Sequence, residues 1–194
     1  LGNRSETSVT VMVQSSVPVA ISALGVIQNG RDEEVLVAMP VWYEGSGVPA
    51  PEPVVVPRVV RGGGYRTQLI LANIRDDTSS GEIMIYAPSG APVLEAPVPF
   101  SIPPNGTFVY LYEGTSSLPR TGYAIVASIR SVTPVASLVT LTDGDVIISA
   151  SRTDTARGAR QSWIPVNTRP TTIRHGRVQH ELSVANNNLV PASL

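Results

Sequence analysis

With 194 residues the chain has room for one large or two small domains, and an apolar fraction of 42% suffices for a buried core. Charge is sparse at 15% and the net charge is −1, which leaves no electrostatic reason to expect nucleic acid or an anionic membrane as partner. Cysteine is absent, which excludes disulfides and thiolate metal sites, and no apolar run approaches the roughly 20 residues of a membrane-spanning helix.

The apolar residues are mostly Val, Ile, Leu and Ala, aromatics make up 5%, and 16 Gly and 17 Pro are spread along the chain, the mark of many short strands. Val9, Val11 and Val13 alternate on one face of a first strand. After a break at Ser15 to Pro18, the apolar run Val19 to Gln28 leads into an Asn29-Gly30 turn and a strand from Glu34 to Met39, giving two consecutive hairpins. Val48 to Pro57 carries prolines at 49, 51, 53 and 57, which predicts an extended linker or an edge strand.

Beyond the Gly62-Gly63-Gly64 turn, Thr67, Leu69 and Leu71 alternate with Gln68, Ile70 and Ala72 in a strand apolar on part of both faces. Asp76 to Gly81 reads as a turn and Glu82 to Ala87 as a strand. Pro88-Ser89-Gly90 is another turn, and Val93 to Val98 a proline-interrupted edge strand. The turn IPPNG (102–106) leads into Thr107 to Tyr112, and strands follow at Tyr123 to Arg130, Val135 to Thr142 and Val146 to Ser151. A polar stretch from Arg152 to Ala159 and the segment Gln161 to Val166 close the unit, and no run has a helical period of useful length.

Two echoes organise these elements. Arg61 to Asn73, RGGGYRTQLILAN, returns as RHGRVQHELSVAN from Arg174 to Asn186, an offset of 113 residues that also matches Pro57 with Pro170. Val9 to Ala20 returns as Ile125 to Ala136, an offset of 116 residues that matches Pro18-Val19-Ala20 with Pro134-Val135-Ala136. Met39-Pro40-Val41 then corresponds to Ile164-Pro165-Val166 after a longer loop. The expected layout is the C-terminal half of a repeat over 1–47, a Pro-rich linker over 48–56, a complete repeat over 57–167 and the first strand of a further repeat over 168–194. A start at Leu1 without a signal-like segment predicts a processed or trimmed product.

The proline-led segment, the Gly-Gly-Gly-Tyr turn, the strand ending in Asn, the APSG turn and the IPPNG turn before an aromatic strand resemble the tandem β-sandwich repeats of bacterial extracellular and cell-surface proteins, of which Acidobacteria and related phyla have many. The resemblance implies an all-β fold, an immunoglobulin- or fibronectin-like antiparallel β-sandwich in which one complete repeat is flanked by two partial repeats. It implies an extracellular or cell-surface location and carries over no active site.

Residues able to do chemistry are few. His175 and His180 are five apart, on opposite faces of a strand, so they do not chelate one metal together. Asp143-Gly144-Asp145 and the group Asp76, Asp77 and Glu82 match no calcium loop and read as turn residues. The glycine triplet is followed by no Gly-Lys-Ser/Thr and no helix, which leaves no phosphate loop; since only Gly63 returns, as Gly176, one position of the three is expected to need a positive φ. Tyr110, Tyr112, Tyr123, Trp163 and Trp42 suit the caps of a sandwich core better than a sugar-stacking platform. Asn3-Arg4-Ser5 and Asn105-Gly106-Thr107 match the glycosylation sequon, a match so short that it arises by chance. Every basic residue is arginine, so a Lys-Asn isopeptide crosslink within the chain is excluded. No cofactor and no enzymatic role are expected.

The expected role is structural. The unit 1–47 lacks everything equivalent to residues 61–112, which leaves an open sheet edge and an uncovered apolar face. The strand donor is expected at Val178, Gln179, His180, Glu181, Leu182, Ser183, Val184 and Ala185, and its acceptor at Val9, Val11, Val13, Val19, Ile21, Val35 and Val37. Partners are then other copies of the chain, neighbouring repeats or a larger surface assembly, joined by strand addition into head-to-tail arrays. A self-closed monomer and an excerpt of a longer array are the other arrangements, and a carbohydrate-binding or adhesive module using Tyr112 and Trp163 is the alternative function.

Overall fold

The computed structural model describes residues 16, 23–29, 31–39, 53–128, 135–143 and 146–153. Within them the architecture is all-β, three antiparallel sheets built from ten strands. The first sheet is a hairpin of β1 (Ala23–Gln28) and β2 (Glu34–Met39). The next eight strands are β3 (Val54–Arg61), β4 (Tyr65–Ala72), β5 (Ser79–Tyr86), β6 (Val98–Ile102), β7 (Thr107–Tyr112), β8 (Arg120–Ser128), β9 (Val135–Asp143) and β10 (Val146–Thr153). They form two four-stranded sheets, ordered β3-β8-β5-β6 and β10-β9-β4-β7.

The two sheets pack face to face because each strand alternates. On β4, Thr67, Leu69 and Leu71 are buried, while Gln68, Ile70 and Ala72 between them are half-buried on the outer face. On β5 the buried set is Ser79, Gly81, Ile83 and Ile85. Of these, Leu69, Leu71, Ile83 and Ile85 meet Val56, Val59, Phe100, Ile102, Tyr112, Ala124, Val126 and Val135 in one core cluster. Burying a side chain of Leu or Ile size contributes about 1.5–3 kcal/mol, so the four fully buried ones at 69, 71, 83 and 85 are a large part of what holds the sheets together.

Several strands begin elsewhere than the sequence predicts. The edge strand β6 runs over Val98–Ile102, not Val93 to Val98, and residues 93–96 are bends. Tyr86 makes an isolated bridge with Pro92, and Val93 N donates to Ile85 O at 2.8 Å, but Pro97 supplies no backbone donor and the continuous ladder with β5 starts at the pair Ile83↔Val98. β5 starts at Ser79, and Gly81, read as a turn residue, lies within it. A Cβ at Gly81 would fall 2.0 Å from the carbonyl oxygen of Ala127 and 2.7 Å from the ring of Phe100, so its missing side chain is what lets β8 and β6 close on β5. β3 opens at Val54, inside the proline-rich segment, and its register shifts between Val56 and Val59, where Pro57 sits. A proline is tolerated there because β3 is an edge strand and a bulge needs no ladder donor.

The crossing from β3 to β4 passes through Gly62, Gly63 and Gly64, whose φ angles are +77°, +58° and +82°. All three, not Gly63 alone, adopt the left-handed conformation. A Cβ at Gly62 or Gly63 would lie 2.8 Å from Leu118 or Pro119, and one at Gly64 2.5 Å from the carbonyl oxygen of Thr142. That oxygen belongs to a residue whose N–H and hydroxyl both donate to Gly64 O, at 2.9 and 3.0 Å. Close contact with the β9 terminus therefore requires glycine at this point. His175 and Arg177, which replace Gly62 and Gly64 in the echo, lie outside the described residues.

Candidate assembly edge

The N-terminal hairpin is held in shape by its turn. Asn29 Oδ1 accepts from the N–H groups of Arg31 (2.8 Å) and Glu33 (3.0 Å), and Asn29 N donates to Glu33 O at 3.0 Å. Asp32 follows with φ +57°. Asparagine suits this position because one short side chain satisfies the two amides that a tight turn leaves over. Its Nδ2 donates to the carboxylate of Glu33 (2.8 Å) and across 118 residues to the carbonyl of Ile147 in β10 (3.1 Å). Arg31 adds an ion pair with Asp143 at 3.1 Å between two exposed side chains. Exposed pairs of this kind contribute about 0–1 kcal/mol, so the largely buried amide of Asn29 is the firmer link.

The ladder of the hairpin pairs Leu24 with Ala38, Val26 with Leu36 and Gly25 with Val37. One face therefore carries Leu24, Val26 and Leu36, which are 62%, 57% and 56% exposed. The other face carries Gly25, Ile27 and Val35, half-buried, and Val37, buried. Among the described residues β1 pairs only with β2, and its second edge has no strand beside it.

The sequence echo points to β9 as the strand to compare with β1. The 116-residue offset that matches Val19-Ala20 with Val135-Ala136 sets the residues leading into β1 against the start of β9. Each is followed by an Asx-Gly pair, Asn29-Gly30 or Asp143-Gly144, and an antiparallel partner, β2 or β10; these pairs stand 114 apart, so the first hairpin carries two more residues between the matched Val-Ala and its turn. β9, however, has β10 on one side and β4 on the other. At the ladder pair of Arg66 with Thr140 the side chains touch directly, Arg66 Nε donating to Thr140 Oγ1 at 3.2 Å.

Of the acceptor residues read from the sequence, Val35 and Val37 share the inner face of the hairpin, while Val9, Val11, Val13, Val19 and Ile21 lie outside the described residues. The donor residues Val178 to Ala185 lie outside them too. The exposed trio of Leu24, Val26 and Leu36, and the junction made by Asn29 and Arg31, were not foreseen. A signal for the first existed, since Val19 to Gln28 is apolar at nearly every position where a strand buried on one face alternates.

The aromatic residues do not assemble a platform. Tyr112 is buried in the core, with the guanidinium of Arg61 4.9 Å from its ring centroid. Tyr110 packs against the same core, and burial pushes both phenols above the ordinary tyrosine value, opposed in part by the charge of Arg61. Tyr123 sits on the other sheet, stacked on Tyr86 with centroids 5.2 Å apart. Trp42 and Trp163 lie outside the described residues. Among the described residues no three His, Asp or Glu side chains are grouped to hold a metal ion, and no helix is long and apolar enough to cross a membrane.

Among known proteins, the chain matches no family model, no curated protein and no solved structure.

Proposed function

We propose that this chain is a non-enzymatic structural subunit of the bacterial cell exterior that assembles head to tail, residues 178–185 of one copy lying along the second edge of β1 in the next. One observation carries the reading: among the described residues β1 has no neighbour on the side where β9 holds β4, and the sequence echo of β4 stands at 178–185. An open edge with an exposed apolar face is costly in isolation and is the surface that strand addition covers. Because donor and acceptor are different surfaces, each copy leaves one of each free for the next, and the contact propagates head to tail.

The complete unit is read as immunoglobulin-like. In favour stand the pairs β4–β7 and β5–β8, which match the B–E and C–F neighbours of that architecture. The first and last strands are exchanged between the sheets, since β3 lies beside β8 and β9 beside β4.

Deleting residues 174–194 tests the assembly. The full chain is expected to form polymers visible by electron microscopy and fast in sedimentation, the shortened chain to stay monomeric, and a peptide spanning 174–190 to cap growth when added. Polymers that survive the deletion unchanged, or a full chain that sediments as a monomer, refute the proposal.

A further inference from the structure

Resting on the strand-complementation reading, we infer that the donated strand enters the β1 edge in one fixed antiparallel register, with Val178 opposite Gly25, Gln179 opposite Leu24 and His180 opposite Ala23. The register is that of the complete unit. Its ladder pairs Tyr65 with Leu141, Arg66 with Thr140, Thr67 with Val139, Leu69 with Ser137 and Leu71 with Val135. Anchored on the Pro18-Val19-Ala20 match, where the offset is 116, and not on the Asx-Gly turns, where it is 114, the β4 members carried forward by 113 and the β9 members carried back by 116 place Val184 opposite Val19 and Leu182 opposite Ile21, and the three pairs above follow because β1 shows no register shift over 23–28.

Side-chain chemistry fits this placement on both faces. The positions of Thr67, Leu69 and Leu71, fully buried in β4, pass to His180, Leu182 and Val184. The outer positions of Arg66, Gln68, Ile70 and Ala72 pass to Gln179, Glu181, Ser183 and Ala185, all polar or small. A slip of one residue would turn Leu182 and Val184 outward and Glu181 inward, so the alternation forbids it. A slip of two keeps the faces but moves the large Leu182 from Ile21 to Val19 or Ala23 and takes Val178 away from the space left by Gly25.

On the outer face, Gln179 is laid across Leu24 as Arg66 is laid across Thr140. The echo is also weaker in its turn than in its strand, because only Gly63 of the three left-handed glycines returns. Register is therefore set by the strand ladder and not by a copied turn.

The chain has no cysteine, so engineered thiols report without background. Antiparallel partners stand about 4.5–5.5 Å apart at Cα, within the span a disulfide bridges. Leu24→Cys chains are mixed with Gln179→Cys chains and oxidised, and Ser22→Cys and Val26→Cys serve in place of Leu24→Cys as the two-residue slips. Leu24 and Val26 are more than half exposed, so these variants leave the core intact. The expected result is a shift from monomer to dimer on a non-reducing gel for the 24–179 mixture, with loss of that band for 22–179 and 26–179. A dimer formed at 22–179 or 26–179 instead overturns the register while strand donation stands. If no mixture gives a dimer, both the register and the head-to-tail reading fall; the double variant Leu24→Cys/Gln179→Cys then shows by an internal crosslink whether the strand closes on its own chain.

Discussion

One amide ties the end of β4 to two loops. Asn73 Nδ2 donates to the carbonyls of Asp77 (2.7 Å), Ile102 (3.0 Å) and Pro103 (3.1 Å), its Oδ1 accepts from Arg75 N, and its own N–H donates to Gly106 O. The strand-ending Asn noticed in the sequence is thus a pin that fixes the loop 74–78 and the IPPNG turn at once. Asn73→Ala leaves the buried carbonyl of Ile102 and two part-buried ones without this donor and is expected to destabilise the fold by about 2–4 kcal/mol in chemical denaturation. The tyrosines beside Arg61 act at the alkaline end. An unfolded tyrosine ionises near pH 10, and burial raises Tyr110 and Tyr112 above that value in the folded chain. Their contribution is therefore intact below about pH 10 and lost as pH rises through the folded values. The denaturation midpoint is expected to hold up to about pH 10 and fall beyond it, and to fall less steeply in Tyr112→Phe, which keeps a ring for Arg61 but cannot ionise.

At the scale of elements, the glycine turn is the least forgiving joint. Gly64→Ala places a Cβ against Thr142 O at a φ of +82°, and is expected to cost about 2–4 kcal/mol. A loss in the melting transition no larger than that of an exposed strand substitution would show that β9 does not depend on this contact. Strand existence was legible because alternation with period two is written into residues such as Thr67, Leu69 and Leu71 or Phe108, Tyr110 and Tyr112. Strand starts were less so where Gly81 or Pro97 stands, because a glycine that admits a neighbouring backbone and one that makes a turn look alike in one dimension. The Asn29 link to Ile147 was not legible at all. It joins residues 118 apart through a single side-chain nitrogen, and no periodicity encodes that.

For the whole molecule, the all-β class followed from composition, whereas the order of strands within the sheets did not. Which sheet receives β3 or β9 is decided by core shape across the two layers, for instance by Val56, Val59 and Val135 meeting in one cluster, and not by any local signal. The hairpin of β1 and β2 was readable as a strand pair, through Val35, Val37 and the apolar run before them. Its tie to β10 came only with the fold. Deletion of 174–194 and the thiol mixtures act at this scale, since both ask how one molecule meets another. The edges of the molecule are also unequal. At the rim formed by β3, the hydroxyl of Thr67 accepts from Val60 N and donates to Val60 O, both at 2.8 Å. An arriving strand finds those two groups already taken by a side chain from inside the same molecule, while among the described residues no side chain plugs the rim at β1 in this way. In the proposed array this gives growth a direction: one flank is sealed from within, and contact between copies is left to the other.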